Sequence, residues 1–516
     1  MNHKLSPWLT DLCIALVSAL ALGAALAAFS AGAFFKSELA FGILSFVCVF
    51  LLLRAWRGLG APRTLAILLA VAFLIRLMVA VIISVGLPAW GYDNPVNNAG
   101  YLYSDAYDRD HAAYKLAAGT EPLSTAFSHP DISDQYGGLL FISAAVYRTL
   151  SPDVDRPLLI SLLAAFSMAL GLAFFWAALQ KRWTLKVAAL AAWILALFPD
   201  SVFLGSSQMR EPFLIALVCI AFWAVLGWRQ KPVRSALVAL LSVALACVIS
   251  LPAGGVFIAL LAAVFVLEWS LSRHNSLYRW FGLGLLALLG LASVVAGWMW
   301  LRSTLYYDSF SSMQQSGWIQ ELLRHYGMKW MIPLTSIYGL IQPVLPAAFT
   351  DPGLPIWQVI AVLRALGWYA ALPFLLFGFF AVWKAKSSES KWLLVLFSLV
   401  FLSWVAVSSM RAGGDQWDNP RYRYMLLPFM SLLIAWSLAH FQQTRTPWFW
   451  RWIAVIAEFT VLLTNTYLNR YFKLPTYISF VPTIALSLII AFFILAGGWL
   501  WDVLKRHTPN SLTKIG

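Results

Sequence analysis

Charge is scarce in this 516-residue sequence. Only 11% of its residues are Asp, Glu, Lys or Arg, against 61% hydrophobic. That balance excludes an ordinary soluble domain, in which about a quarter of residues are charged, and an intrinsically disordered chain as well. Cysteine is scarce too: Cys13, Cys48, Cys219 and Cys247 all fall in apolar runs. Neither a disulfide framework nor a cysteine zinc site is indicated. No G-x-x-x-x-G-K-[ST], G-x-G-x-x-G or H-E-x-x-H occurs, so neither phosphate-cradling nucleotide loops nor zinc-protease helices are implied. An inverted internal repeat of the kind that marks many transporters is also lacking. The net charge is +14, but its basic residues are scattered over many short loops. That pattern belongs to membrane topology and not to a nucleic-acid stripe.

What is abundant is hydrocarbon. Apolar runs near the length that spans a bilayer lie at 9–30, 39–53, 64–87, 157–179, 187–204, 212–228, 235–250, 254–271, 281–301, 357–383, 391–409, 424–441, 451–467 and 477–501. The fold class expected is therefore all-α, a polytopic membrane protein of about fourteen spans. His3 and Lys4 before the first run, and Ser30-Ala31-Gly32-Ala33 after it, resemble a signal peptide. The run is long and a second follows at once, so a retained helix is the expectation. Residues 137–150 are apolar but short and are expected to lie on the membrane surface. Residues 331–349, broken by Pro333, Pro343 and Pro346, are expected to be interfacial or re-entrant.

With the N-terminus in the cytoplasm, the inner loops contain Arg54/Arg57/Arg63, Lys181/Arg182/Lys186, Arg229/Lys231/Arg234, Arg273/Arg279, Lys384/Lys386/Lys391, Arg445/Arg451 and Lys505/Arg506. Each is short and basic, as the positive-inside rule requires. Counting 137–150 as a span would break this agreement downstream. All but Asp11, Glu268, Glu389, Glu458 and Asp502 of the 22 acidic residues then fall outside. Acidic residues contribute little to insertion, so their placement points to chemistry on the outer face. Nucleoside triphosphates and nucleotide sugars are not available there, and an activated donor would have to arrive on a lipid.

Three polar constellations stand on that face. The interval 88–136 carries seven carboxylates between Asp93 and Asp134, and clustered carboxylates need a cation or a proton-accepting task to sit together. Helical spacing places Asp105 and Asp108 on one face and Asp110 well away from it. Asp105 opens an amphipathic helix expected to run to Gly119 as its C-cap. The helix dipole there keeps a carboxylate ionised and fit to deprotonate a hydroxyl. The second constellation is Gly205-Ser206-Ser207-Gln208-Met209-Arg210-Glu211-Pro212, with Arg210 and Glu211 at a helix mouth. The third, Met410 to Tyr424, holds Arg411, Asp415, Asp418, Arg421, Tyr422 and Arg423. Arginine forks bind phosphate oxygens in pairs, and Tyr suits the headgroup level. Arg76 and Glu458 lie deep in spans, where charges pair or function. Arg302 and Arg364, near outer span ends, could also meet a lipid phosphate, whereas His129 and His325 read as solvent-exposed.

The order of these elements resembles the GT-C superfamily of polyprenyl-phosphate-dependent membrane glycosyltransferases. Relatives of that kind include protein O-mannosyltransferases and the transferases that add aminoarabinose to lipid A. The matching order is helix 64–87, Asp105, surface helix 137–150, helix 157–179, Lys181-Arg182, Pro199, then Arg210-Glu211. Arg421-Tyr422-Arg423-Tyr424 before Met425-Leu426-Leu427-Pro428 looks like the family's Arg-Tyr segment. The chain departs from the pattern in its two extra N-terminal spans. It also has Gln135-Tyr136-Gly137-Gly138 where a proline pair is often found.

The resemblance implies three regions: 1–63 with two added helices, a core 64–441 with outer loops 88–156 and 302–356, and C-terminal helices 442–516. It implies a transferase moving a sugar from a polyprenyl-phosphate donor to an acceptor hydroxyl on a glycan, lipid or protein. The membrane would be the cytoplasmic one, with both termini inside and no nucleic-acid partner. Asp105 would be the base, with Asp108 and Asp110 as alternatives in the same helix. Asp108 and Glu211 would organise the site and are the candidates for holding a divalent cation, the one cofactor suggested. Arg421, Arg423 and Arg411, with Arg210 and Tyr422, would hold the lipid phosphate. A flippase for lipid-linked saccharides, or a non-catalytic partner in envelope polysaccharide assembly, are the rival expectations.

Overall fold

The computed structural model describes residues 6–128, 136–272, 276–350, 353–384, 388–416, 418–472 and 478–507. The expectations placed on His129, Asp134, Gln135, Arg273 and Lys386 fall outside the described residues. Among the described residues every regular element is helical.

All fourteen apolar runs form helices, but fewer than fourteen are long and apolar enough to cross a membrane. Among the described residues eleven meet that standard, or twelve if the bent pair Leu185–Leu197 and Pro199–Gly205 counts as one span. The expected fourteen is not reached at two places. Glu211–Leu226 has only 16 residues, about 24 Å of helix, which is short for a hydrocarbon core of about 30 Å. Pro447–Phe472 is long enough, but Glu458, Asn465 and Asn469 interrupt its apolar character.

The run 187–204 divides at Pro199, with a bend of 58°. Proline has no N–H to donate and clashes with the preceding turn, so a new helix starts with Pro199 in its first turn. The break turns Asp200, Ser201, Ser206 and Ser207 into the interior instead of into an outer loop.

Residues of three of the expected inner loops meet at one end of the Leu158–Leu179 helix. Arg182 Nε donates to Glu268 at 2.7 Å, Arg229 lies 3.3 Å from the same carboxylate, and Ser390 donates to the Arg182 carbonyl. The Leu158–Leu179 helix runs from there for about 33 Å to the end where Gln208 donates to the Pro157 carbonyl and to Ser161. At the N-terminus, Pro7–Ala27 and Phe34–Gly58 form a hairpin. Its buried Asp11 is held by Arg57 at 2.6 Å and Arg54 at 3.3 Å.

Two surface helices cover the site end. Ser104–Ala118 is the expected acidic helix, and Gly138–Leu150 is the expected short apolar one. Gly137 enters the second with φ +72°, where a Cβ would collide with the Ala126 carbonyl. Gly119 is the helix's C-cap as expected, its N–H donating to the Lys115 carbonyl, with an extended backbone at φ −80°. The last turn is also capped from outside: the Arg148 guanidinium donates to the carbonyls of Leu116 at 2.6 Å, Ala117 at 3.2 Å and Glu121 at 2.8 Å. Residues 331–349 form helices Met331–Ile341 and Leu345–Thr350, broken at Gln342 and Pro343.

Candidate active site

Arg421 brings the three constellations together. It is supplied by the short helix Asp418–Arg423 and is 3% exposed. Its Nη1 donates to Asp105 Oδ2 at 2.8 Å, and its Nε lies 3.4 Å from Glu211 Oε1. Asp105 sits in the first turn of Ser104–Ala118, and Glu211 is the first residue of Glu211–Leu226. Two helix starts, each favouring negative charge, thus meet over one guanidinium.

The two carboxylates differ in their surroundings. The Asp105 side chain is about half exposed, at 53%, while that of Glu211 is 5% exposed. Burial alone would raise the Asp105 carboxyl, but Arg421, Arg109 and Arg210 outweigh it and hold the group below the ordinary carboxylate value. Asp105 is therefore ionised and reachable from solvent. Glu211 Oε2 is buried with no hydrogen-bond partner among the described residues.

The other expected residues are placed as follows. Two guanidinium groups stand over the Tyr422 ring, Arg421 at 5.0 Å and Arg411 at 5.4 Å. Arg411 is paired with Asp308 at 2.8 Å, stands over Trp300, and lines a small cavity with Ser311, Ser312, Gln315 and Tyr422. Asp308 reaches it because Ser276–Gln314, expected to end near 301, continues for 39 residues. Arg210 faces the Tyr136 ring at 5.8 Å, and Glu211 pairs with Arg421 instead of its neighbour. Asp108 is exposed and makes no hydrogen bond or ion pair among the described residues. Arg423 is wholly buried: it donates to the carbonyls of Gly339 at 2.7 Å and Gln342 at 2.8 Å and stacks on Trp368 at 3.9 Å. Arg364 pairs with Asp200 at 2.6 Å in the interior. Arg76 bonds Ser201 and the Ala72 and Leu195 carbonyls, not Glu458.

Among the described residues, no three His, Cys, Asp or Glu side chains gather as metal ligands. Between Asp105 and Glu211 the place of a cation is taken by Arg421, and Asp108 stands apart. This donor set does not fit a divalent ion.

Sequence reasoning missed Arg109 and a buried acidic cluster. Arg109 donates to the Gln208 carbonyl at 2.6 Å and so docks the acidic helix on the loop before Glu211. On the opposite face, Asp110 is 2% exposed and accepts hydrogen bonds from Tyr101 at 2.6 Å and Tyr147 at 2.7 Å. Burial, and then the nearby Asp155 charge, raise the Asp110 carboxyl well above its usual range. For Asp110 the signal available was the helical period, which turns it well away from the face of Asp105 and Asp108; Arg109, four residues after Asp105, falls on nearly the same face as Asp105 and had no such signal.

No family model matches the sequence, and no curated protein matches it. Two solved structures are similar to it. The archaeal oligosaccharyltransferase AglB from Archaeoglobus fulgidus, in complex with an inhibitory peptide and a dolichol-phosphate, shares 11% identity over 83% of this chain with a TM-score of 0.35. The Archaeoglobus fulgidus oligosaccharyltransferase in its apo form shares 12% over 84%, with a TM-score of 0.37. This chain covers 54% and 55% of theirs, about half their length. A likeness this loose carries no argument about site or activity.

Proposed function

We propose that this chain is a membrane glycosyltransferase that moves a sugar from a polyprenyl-phosphate donor to an acceptor hydroxyl at the outer surface of the cytoplasmic membrane. The supporting observation is Arg421, which joins an ionised, accessible Asp105 to a buried Glu211 at the meeting of two helix starts. Asp105 removes the acceptor proton as the acceptor oxygen attacks the anomeric carbon. The bond from that carbon to the phosphate oxygen breaks, and its electron pair leaves on the phosphate. Arg421 and Arg411, both over the Tyr422 ring, bear the charge that develops there. Glu211 holds Arg421 in place, and Arg210 and Asp108 border the acceptor side. Arg423, buried against the Gly339 and Gln342 carbonyls, supports the floor in this reading.

The test is transfer by protein reconstituted in liposomes, using a panel of polyprenyl-phosphate sugars with membrane extract as acceptor. Asp105→Asn keeps the shape and removes the charge, so turnover should fall by about 10²–10⁴ with donor binding retained. Near-full turnover in Asp105→Asn overturns the assignment. Movement of a labelled lipid-linked sugar across the bilayer without transfer would replace it with the flippase reading.

A further inference from the structure

A cavity of about 410 Å³ opens beside the site. Its wall includes Ser104, the residue before Asp105, and Gln416, five positions before Arg421. The wall opposite comes from the segment before the acidic helix and from the start of Pro355–Ala381, through Tyr92, Asn94, Trp357 and Gln358. The Tyr92 and Trp357 rings stack with centroids 6.2 Å apart. Asn97 fixes that pair, for its Oδ1 accepts from the Tyr92 amide at 2.9 Å and from Trp357 Nε1 at 3.1 Å. Gln358 is oriented by donating to the Phe349 carbonyl at 3.1 Å.

The chemistry of this lining is specific. A sugar ring offers one C–H face and a rim of hydroxyls that both donate and accept. Aromatic faces pack on the first, and carboxamides and hydroxyls, which also donate and accept, match the second. The volume falls in the range of small-molecule sites. Among the described residues no lining side chain is charged. A phosphate seated here would lack an arginine, and a cationic sugar would find no carboxylate in the lining among the described residues.

We propose that this cavity is a subsite for a neutral sugar ring, bearing hydroxyl or acetamido groups and neither a cationic nor an anionic substituent. The inference rests on the transferase reading and narrows it, because it sets aside amino sugars and uronic acids as the group seated beside Asp105. The ring could belong to the donor or to a glycan acceptor, and the shared chemistry is the neutral polyol.

The test is saturation-transfer NMR on the full chain in nanodiscs with four probes: a methyl hexopyranoside, a methyl 2-acetamido-hexopyranoside, a methyl aminopentoside and methyl glucuronide. The two neutral glycosides should bind and the two charged ones should not. Tyr92→Ala and Gln416→Ala, both at exposed positions, should weaken neutral binding by about three- to tenfold, the range of one neutral contact. Equal binding of charged probes, no binding of neutral ones, or neutral binding unmoved by both substitutions would each overturn the proposal. Asp105→Asn should leave glycoside binding intact, so lost transfer with retained binding separates failure of the catalytic reading from failure of the subsite. A short-chain isoprenyl-phosphate hexose that displaces the methyl glycoside assigns the subsite to the donor. Simultaneous binding assigns it to the acceptor.

Discussion

Arg421 has two partners with different consequences. Toward Asp105 it supplies the charge that keeps a partly buried carboxyl ionised; toward Glu211 it is anchored by a group that water hardly reaches. Replacing it with Gln leaves the burial of Asp105 unopposed by its strongest partner, so the Asp105 pKa should rise. In the proposed reaction the base must be ionised, and the acid limb of the pH–rate profile should therefore move to higher pH in Arg421→Gln. An unmoved limb would show that Asp105 does not titrate in the rate. Asp110, five residues on, behaves in the opposite sense. Its folded value is raised above the unfolded value of about 3.9, so between those two values the folded chain binds more protons than the unfolded one. Its contribution to stability is present at low pH and is lost as pH rises through the raised value. Asp110→Asn can still accept from Tyr101 and Tyr147 without the charge. It should flatten this dependence and raise the melting temperature in detergent at pH 8, leaving that at pH 5 nearly unchanged. Asp110→Ala should instead cost about 1–3 kcal/mol at both, because two buried hydroxyls lose their acceptor. Asp105, Glu211 and Arg421 were legible one by one in the sequence, from charge beside a helix start. Their meeting was not, because Asp105 and Arg421 stand 316 positions apart. Nor could the sequence separate Arg421 from Arg423: they are two residues apart and chemically identical, and only tertiary packing buries one among carbonyls.

At the scale of elements, the acidic helix is positioned by neighbours and not by its own ends. Tyr103 at its N-cap makes no side-chain cap, and Gly119 takes an extended conformation at the other end. Arg109 pins the helix to the Gln208 carbonyl, and Arg148 of the next surface helix closes its last turn. A guanidinium at a helix C-terminus contributes about 0.3–2 kcal/mol through the dipole, with its hydrogen bonds in addition. Arg148→Ala should therefore fray the last turn. Amide exchange at residues 115–119 should accelerate while that at 105–109, next to Arg421, stays protected. Uniform acceleration along the helix would show that Arg148 supports the whole element. The helix itself was readable from its period and nearly to the residue. So was its C-cap Gly119; the Arg148 contact was not, since Arg148 is remote from the last turn in sequence. The bend at Pro199 had a local signal in Phe198-Pro199, and its result, the burial of Asp200 against Arg364, did not.

Across the whole molecule, the interactions sort by end. The Arg182, Arg229 and Glu268 network lies where the Glu211–Leu226 helix finishes, near Lys181 and its bond to the Trp223 carbonyl. The Asp105, Glu211 and Arg421 network lies where that helix begins. The two networks thus lie at opposite ends of this 16-residue helix. Under the positive-inside rule the first end would face the cytoplasm, and a donor on a polyprenyl lipid would then be used at the second. Single cysteines at Asp108→Cys and Lys231→Cys, in a chain whose four native cysteines are replaced, test this directly. Both positions are exposed, so neither substitution should disturb packing. In intact cells an impermeant maleimide should label the cysteine at 108 and not the one at 231, while inverted vesicles should reverse the pattern. If 108 is reached only from the cytoplasm, Asp105 faces the nucleotide-sugar pool, and the need for a lipid-borne donor disappears with the topology. Labelling of 108 from both sides would instead describe a site that alternates between faces, which the flippase reading requires and the transferase reading does not.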